Sequence, residues 1–157
     1  MTATTDIVSA IVGHHSELQT ALSTRVDAVV DAARPVAPHE AAVAELRGLL
    51  EHDIIPHARA EEEVLYAAAS APTLTPLVTG MIFEHETLLA LSAALAAART
   101  PVDAAIAAAA LRAVFIGHVR RENDLLLPAL AADPEIDLPA LLPRMQERMT
   151  AHQANAS

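Results

Sequence analysis

Prolines divide this sequence into long segments that are rich in helix-forming residues, and this spacing constrains the fold more than any other feature. Alanine and leucine dominate these segments, while the whole chain has only 4 Gly and 2% aromatic residues. Such a composition favours an all-α protein. Because proline ends a helix or occupies its first turn, the sequence predicts five helices. Their predicted ranges are 5–33, 40–70, 76–99, 101–131 and 138–153.

The short connections between the four long helices favour antiparallel neighbours. The expected architecture is an up-down-up-down antiparallel four-helix bundle with a short C-terminal helix. A length of 157 residues predicts a single domain over residues 1–157, with a core of about 5–132 and a C-terminal extension over 133–157. Pro56 falls inside the second helix, where it is expected to break the local hydrogen bonding and produce a kink.

Charge and cysteine content exclude several classes of function. The formal net charge is −10, which argues against nucleic acid and against anionic membrane surfaces. The chain contains no cysteine, which excludes disulfides, thiolate metal sites and iron–sulfur clusters. The uncharged stretch 64–83 is interrupted by Pro72 and Pro76, so no membrane span is expected there, and Asp6 argues against a secretory signal. We expect a cytoplasmic protein.

Two helices carry the same pair of polar residues. His57 and Glu61 are four residues apart, as are His118 and Glu122, and each pair is followed by an apolar run. Residues four apart lie on one face of a helix. An imidazole and a carboxylate that project together form a chelating pair for a first-row metal ion.

The other two long helices also offer histidines, His14 or His15 on the first and His85 on the third. Counted from the predicted turns, one histidine of every long helix lies at nearly the same depth. Each also lies on an apolar stripe, so it is expected to face the core, where an unpaired ionisable group is costly. The predicted stripe residues are Ile11, Leu18, Leu22, Ile54, Val64, Leu65, Met81, Ile82, Leu88, Leu89, Val114, Phe115, Leu125 and Leu126.

A single core histidine is more often hydrogen-bonded than metal-bound, and a single HxxxE is common in helices. The conjunction of two such pairs with two further histidines at matching depth favours a metal site. Four imidazoles and two carboxylates in one apolar layer need a counter-charge, which a pair of metal ions supplies.

At these motifs the sequence resembles the hemerythrin-like (HHE cation-binding) domains. The matching stretches are GHHSEL, PHARAEEEVLY, FEHETLL and GHVRRENDLLLP, in family order along the chain. The resemblance implies a four-helix bundle that holds two non-heme iron ions joined by an oxo or hydroxo bridge. It assigns the first ligand to His15 rather than His14, because the family motif places that histidine before a stretch such as Ser16-Glu17-Leu18. The implied metal ligands are His15, His57, Glu61, His85, His118 and Glu122.

The sequence departs from the oxygen-carrying members of the family at Leu89, where those proteins have a further histidine. This departure disfavours bulk oxygen transport. The resemblance then implies binding of, or reaction with, O₂, H₂O₂ or NO, including a catalase-like or peroxidase-like activity. Iron storage or delivery, and a redox-regulated interaction module, remain alternatives. Heme and zinc are further alternatives, and family resemblance is what favours iron.

Several other residues are expected to have no part in the site. Tyr66 is nine residues after His57 and is predicted to face away from it, as a packing residue, unless the helix after Pro56 is off register. Phe83 is expected in the core. Glu62 is expected to be exposed. Glu84, Glu86 or a solvent ligand could fill the coordination gap left at Leu89, but both glutamates lie about 100° from His85, which favours a solvated position for them.

Overall fold

The computed structural model describes residues 2–33 and 39–155, and within these ranges it contains helices and no strands. Five helices follow one another: α1 (Thr2–Ala32), α2 (39–68), α3 (Thr75–Ala96), α4 (Pro101–Ala132) and α5 (Leu138–Asn155). The predicted all-α class is confirmed, and all predicted helix ends lie within about three residues of those observed. Pro35 and Pro38, predicted to separate α1 from α2, lie outside the described residues.

The start of α4 shows how local chemistry sets a helix boundary. Thr100 is extended, and its hydroxyl oxygen accepts a hydrogen bond from the Asp103 N–H at 3.1 Å. The same hydroxyl donates to the Asp103 carboxylate at 2.7 Å. Pro101 then occupies the first turn, where its missing N–H is not needed. This cap fixes the register of the helix that carries His118 and Glu122.

Three π-helical turns interrupt the α-helical hydrogen bonding of α2 and α4. They span Leu50–Ile54, Glu62–Tyr66 and Glu122–Leu126. The first and third lie directly before Pro56 and Pro128, whose rings would clash with the carbonyl four residues earlier in a regular α-helix. The predicted disturbance at Pro56 therefore takes the form of a π turn.

In a regular α-helix the His52 carbonyl would accept from residue 56, but Pro56 has no N–H to donate. The His52 carbonyl accepts a hydrogen bond from the Gln153 side-chain amide at 2.9 Å, so α5 bonds to the interrupted backbone of α2. Each π turn also takes up about one extra residue and rotates the following helix by about 100° relative to an uninterrupted one. The side chains after each π turn thus face different directions from those that a regular helix predicts.

Two apolar clusters form the core. Cluster 1 includes Leu18, Leu22, Ile54, Leu88, Phe115 and Val119. Cluster 2 includes Ile11, Val64, Met81, Leu126, Leu130 and Leu141. Each of the four long helices contributes residues to both clusters. A layer of buried polar residues separates cluster 1 from cluster 2. Helix α5 joins cluster 2 only, as the predicted C-terminal addition to the bundle.

Three stripe or core predictions are wrong. Phe83 and Leu89 are exposed because the buried face of α3 is narrow and passes through Met81, His85 and Leu88 instead. Leu125 is also exposed, because the π turn at Glu122–Leu126 rotates it away from the core and brings Leu126 in. Phe115, in contrast, is buried as predicted.

One helix is long and apolar enough to cross a membrane by length and composition, namely Pro101–Ala132. The core helices of soluble proteins pass the same test. One face of this helix is packed in cluster 1, and the same face carries His118 and Glu122. Burial of that face accounts for part of the apolar content of this helix, since 39% of its most apolar stretch is buried.

Candidate metal centre

The polar layer between the two apolar clusters contains all six predicted ligand residues. None has more than 4% of its surface exposed. One histidine comes from each long helix, and α2 and α4 each add a glutamate one turn later. Such burial of four imidazoles and two carboxylates is costly without compensating charge. The residues concerned are His15, His57, Glu61, His85, His118 and Glu122.

The four histidines form two pairs whose Nε2 atoms converge. The Nε2 atoms of His15 and His57 are 3.1 Å apart, and those of His85 and His118 are also 3.1 Å apart. We call these the α1–α2 pair and the α3–α4 pair. Two groups of potential metal donors result, and Glu61 belongs to both.

Glu61 lies between the two histidine pairs. Its Oε1 is 2.7 Å from Nε2 of His57 and 3.2 Å from Nε2 of His15. Its Oε2 is 3.4 Å from Nε2 of His85 and 3.8 Å from Nε2 of His118. The two oxygens of one carboxylate therefore face different histidine pairs, which is the geometry of a bridging ligand.

Glu122 lies against both pairs as well. Its Oε2 is 3.5 Å from Nε2 of His15 and 3.9 Å from Nε2 of His118. Neither of its carboxylate oxygens has a hydrogen-bond partner, although both are buried. A buried carboxylate without partners is rare in a stable protein and is the mark of a group that binds something else.

Outer acceptors hold three of the four imidazoles through Nδ1. The Nδ1 atom of His15 is 2.8 Å from Oδ1 of Asn123, and that of His85 is 2.7 Å from Glu62. His118 contacts Glu84 through Nδ1 at 3.2 Å. In a neutral imidazole whose Nδ1–H donates outward, Nε2 carries no hydrogen. Its lone pair then faces the layer and is free to bind a metal ion. This pattern is typical of metal-binding histidines.

The roles of Glu62 and Glu84 correct the prediction that both are merely solvated. Glu84 is only 17% exposed, and it also forms an ion pair with Arg121. On α3 it lies about 100° from His85, a direction that faces the neighbouring α4 rather than solvent. Glu62 is more exposed but reaches from α2 to His85 of α3. Glu86 is exposed as predicted.

Tyr66 lies at the site, not on the opposite face where a regular helix would place it. Its hydroxyl is 3.4 Å from Nε2 of His118 and 3.5 Å from Nε2 of His85. The π turn Glu62–Tyr66 supplies the rotation that brings it inward. The nine-residue spacing from His57 points Tyr66 away from the site in a regular helix, so the sequence contains no signal for its inward position.

The electrostatics of the layer are unbalanced. Burial and the negative charge of Glu61 raise the pKa of Glu122 well above its usual range. Burial also disfavours ionised Glu61, but the charge of His57 and contacts with the other imidazoles lower its pKa well below normal. Burial and the nearby carboxylates raise the pKa of Tyr66, which keeps the phenol protonated. A cation in the layer would remove the penalty on the second carboxylate.

His14 lies outside the group of converging donors, as the choice of His15 requires. Its side chain is partly exposed, and its ring centroid is 5.0 Å from that of His57. A cavity of about 190 Å³ adjoins these two histidines between α1 and α5, with Ile11 and Met145 among its lining residues.

Four of the six donor separations in the two groups that share Glu61 match the spacing of ligands on one metal ion. Two ligands that are each about 2.1 Å from one ion, at angles of 90–110°, are about 3.0–3.4 Å apart. The separations within the α1–α2 pair and Glu61 are 2.7–3.2 Å. Those within the α3–α4 pair and Glu61 are 3.1–3.8 Å. Imidazole and carboxylate suit first-row divalent and trivalent metals, and the two buried Glu122 oxygens supply further donors.

The fold and the donor set define a helical metal-binding protein. The sequence model of the hemerythrin HHE cation-binding domain matches residues 6–139, most of the chain. The protein therefore belongs to the hemerythrin HHE family, as its motifs predict. Comparisons with curated proteins and with solved structures returned no match.

Proposed function

We propose that this protein holds two non-heme iron ions. The α1–α2 pair would bind one ion and the α3–α4 pair the other, with Glu61 and Glu122 shared between them. The observation that carries this proposal is the position of Glu61, whose two oxygens face different histidine pairs. The two orphaned oxygens of Glu122 support a second shared carboxylate.

Iron and zinc both accept imidazole and carboxylate ligands, so the donor set does not distinguish between them. Family membership favours iron. The donor spacing argues against heme. A porphyrin iron needs two axial nitrogens about 4 Å apart with open space between them, whereas the paired Nε2 atoms are 3.1 Å apart. The shared carboxylates would also have no role in a heme site.

We propose further that the centre binds or reacts with O₂, H₂O₂ or NO. Two imidazoles per ion and two shared carboxylates leave coordination positions open. Two bridged iron ions can together exchange two electrons with a bound small molecule. The protein's own residues exclude bulk water through the two apolar clusters, fix the imidazoles through Asn123, Glu62 and Glu84, and present the Tyr66 hydroxyl to the α3–α4 half.

The exposed position of Leu89 supports reaction or sensing over oxygen carriage. Leu89 occupies the place of a further histidine in the oxygen carriers, and here it faces solvent. No side chain from this position adds a ligand to the α3–α4 half. Breakdown of peroxide, or sensing of NO or O₂, suits such an open site better than reversible transport.

The up-down-up-down topology is part of this proposal. From the N-terminus, α1 and α3 pass from cluster 2 to cluster 1, while α2 and α4 pass from cluster 1 to cluster 2. This alternation supports antiparallel neighbours. A cytoplasmic location, without nucleic-acid or membrane partners, is also proposed, with the net charge of −10 in support.

The reactivity is tested on iron-loaded protein by following its absorption spectrum during separate additions of O₂, H₂O₂ and NO. The proposal expects a new spectrum with at least one of them, and release of O₂ from peroxide if the activity is catalase-like. Iron-loaded protein that is inert to all three, but transfers its iron rapidly to an acceptor, would instead support storage or delivery. The burial of all six ligands disfavours that alternative.

Replacing Tyr66 by Phe is expected to leave the iron content and the fold unchanged but to alter reactivity. The change removes only the hydroxyl, which lies 3.4–3.5 Å from two ligand histidines. Loss of one hydrogen bond to a bound molecule predicts a decrease of about tenfold in its rate of reaction or its affinity. Stopped-flow absorption measures this. Unchanged rates with all three small molecules would place Tyr66 outside the reacting site.

Replacing Glu84 by Gln is expected to weaken iron binding by about 10–100-fold, because the carboxylate that orients His118 is lost. The matched control is Glu86→Gln, two residues later on the same helix and exposed. Competition against a chelator of known affinity measures both variants. Equal affinities for the two would mean that Glu84 does not support the site.

A further inference from the structure

Helix α4 has a second apolar face, which points to solvent. Its residues are spaced at intervals of four, three, four and three, the repeat of a coiled-coil seam. We call this face the outer seam. Ile106 is 65% exposed, Val102 58% and Ile116 40%, and the two alanines between them are exposed too. The outer seam consists of Val102, Ile106, Ala109, Ala113 and Ile116.

The outer seam is separate from the core face of the same helix. Leu111 and Phe115 are buried in cluster 1 on the opposite side, together with Ala108. A helix that is apolar on both sides is either fully enclosed or covered by a further helix. In the described part of the chain the outer seam is uncovered, and its large side chains are β-branched residues that are unusual in the middle of an exposed helix face.

We propose that the outer seam binds the same seam of a second copy. The two α4 helices would be antiparallel, related by a twofold axis that passes between the seams at the level of residue 111 along the helix. In this register Ile106 packs against Ile116 of the second copy, and Ala109 packs against Ala113. The pairing is isologous, as a twofold requires, so each contact occurs twice. The small alanines at the centre allow the helices to approach closely, about 8 Å apart.

Charges at the ends of the outer seam favour the antiparallel arrangement. Arg120, which is 3.4 Å from Asp124 on its own exposed helix face, continues the four-three spacing and would face Val102 of the second copy, beside Asp103. Parallel helices would instead place Arg120 against Arg120. Arg112, near the centre, is held within its own chain by Asp27 at 2.5 Å, so it does not bring an unpaired charge to the axis. Opposite charges meet in one orientation only.

The test is the mass in solution of the full-length, iron-loaded protein, measured by analytical ultracentrifugation over a range of concentrations. The proposal expects a dimer. Ile106→Glu should weaken dimerisation by at least about 100-fold, because two carboxylates would be buried at the seam. Iron content should stay unchanged, since Ile106 is exposed and distant in sequence from the ligands.

Val12→Glu is the matched control, because Val12 is also an exposed β-branched residue but lies on α1, outside the seam. It should leave the dimer intact. A monomeric wild-type protein at all concentrations, or equal loss of the dimer in both variants, would overturn the proposal. So would binding of the wild-type protein to lipid vesicles that Ile106→Glu abolishes, because a membrane would then be the partner of the seam.

Cysteine cross-linking tests the orientation, and the chain has no cysteine of its own to interfere. A disulfide requires Cα atoms within about 7 Å. The antiparallel register predicts that Ala109→Cys combined with Ala113→Cys forms a covalent dimer under oxidation, while Ala109→Cys alone does not. Efficient cross-linking of the single variant would show parallel helices and contradict the proposed register.

Discussion

Replacing Glu61 by Gln is expected to remove both metal ions at once. Glu61 is the residue that faces all four histidines, through one oxygen on each side. The amide that replaces it has one weaker oxygen donor and no negative charge to offset two cations. We expect metal affinity to fall by at least about 100-fold, beyond the usual effect of an outer residue. Elemental analysis after dialysis against a chelator measures the loss.

The control for this variant is in the same run of three glutamates. Glu63→Gln removes an identical charge two residues later, from a side chain that forms ion pairs with Arg148 and His152 on α5. It should retain the wild-type metal content. If Glu61→Gln kept two ions per chain, or lost only one of them, Glu61 would not be shared between the two halves.

Replacing Glu122 by Met is expected to raise the stability of the metal-free protein while abolishing metal binding. The two Glu122 oxygens are buried without hydrogen-bond partners, and such a group costs about 1–3 kcal/mol. Methionine has a similar length and no polar atom to leave unsatisfied. The melting temperature of the metal-free variant should therefore rise by about 5 °C over metal-free wild type, as measured by circular dichroism.

Metal should reverse the order of the melting temperatures of the wild type and Glu122→Met. An ion that binds only the folded state adds about 4 kcal/mol at a concentration of 1,000 times its dissociation constant. Iron should thus raise the melting temperature of the wild type and leave that of Glu122→Met unchanged. Glu86→Met, an exposed change of the same kind, should behave as wild type. A metal-free Glu122→Met protein that is less stable than metal-free wild type would contradict the account.

The helices of this protein could be predicted because the signals for them are local. Pro101 and the Thr100 cap define the start of α4 without reference to the rest of the fold. The convergence of the six candidate ligands in one layer could be predicted for a related reason. In a regular α-helix the HxxxE spacing brings both side chains to one face, and His57 and Glu61 are separated by a regular α-helical segment.

The errors lie where the helices stop being regular. Tyr66 and Leu125 both lie within π turns, and a fixed rotation of about 100° per residue assigns each to the wrong face. Proline marks two of the three π turns in the sequence, but the π turn at Glu62–Tyr66 has no proline beside it. Its inward tyrosine could not be recognised without the backbone.

The outer acceptors were missed for a different reason. Glu84 and Glu62 each reach an imidazole on a neighbouring helix, which depends on how the helices are rotated against one another. Periodicity along one helix shows how far a residue is from its own core face. It contains no information on whether the next helix or solvent lies beyond. Asn123, beside Glu122, was missed for the same reason.

The most direct test of the two-metal proposal is the amount of iron and zinc per chain in freshly purified protein, measured together by elemental analysis. Two histidine pairs that share Glu61 and Glu122 predict about two metal ions per chain, and family membership predicts that these ions are iron rather than zinc. One ion per chain would contradict the bridged site, and none in protein that is folded and supplied with iron would contradict the assignment of the polar layer as a metal centre.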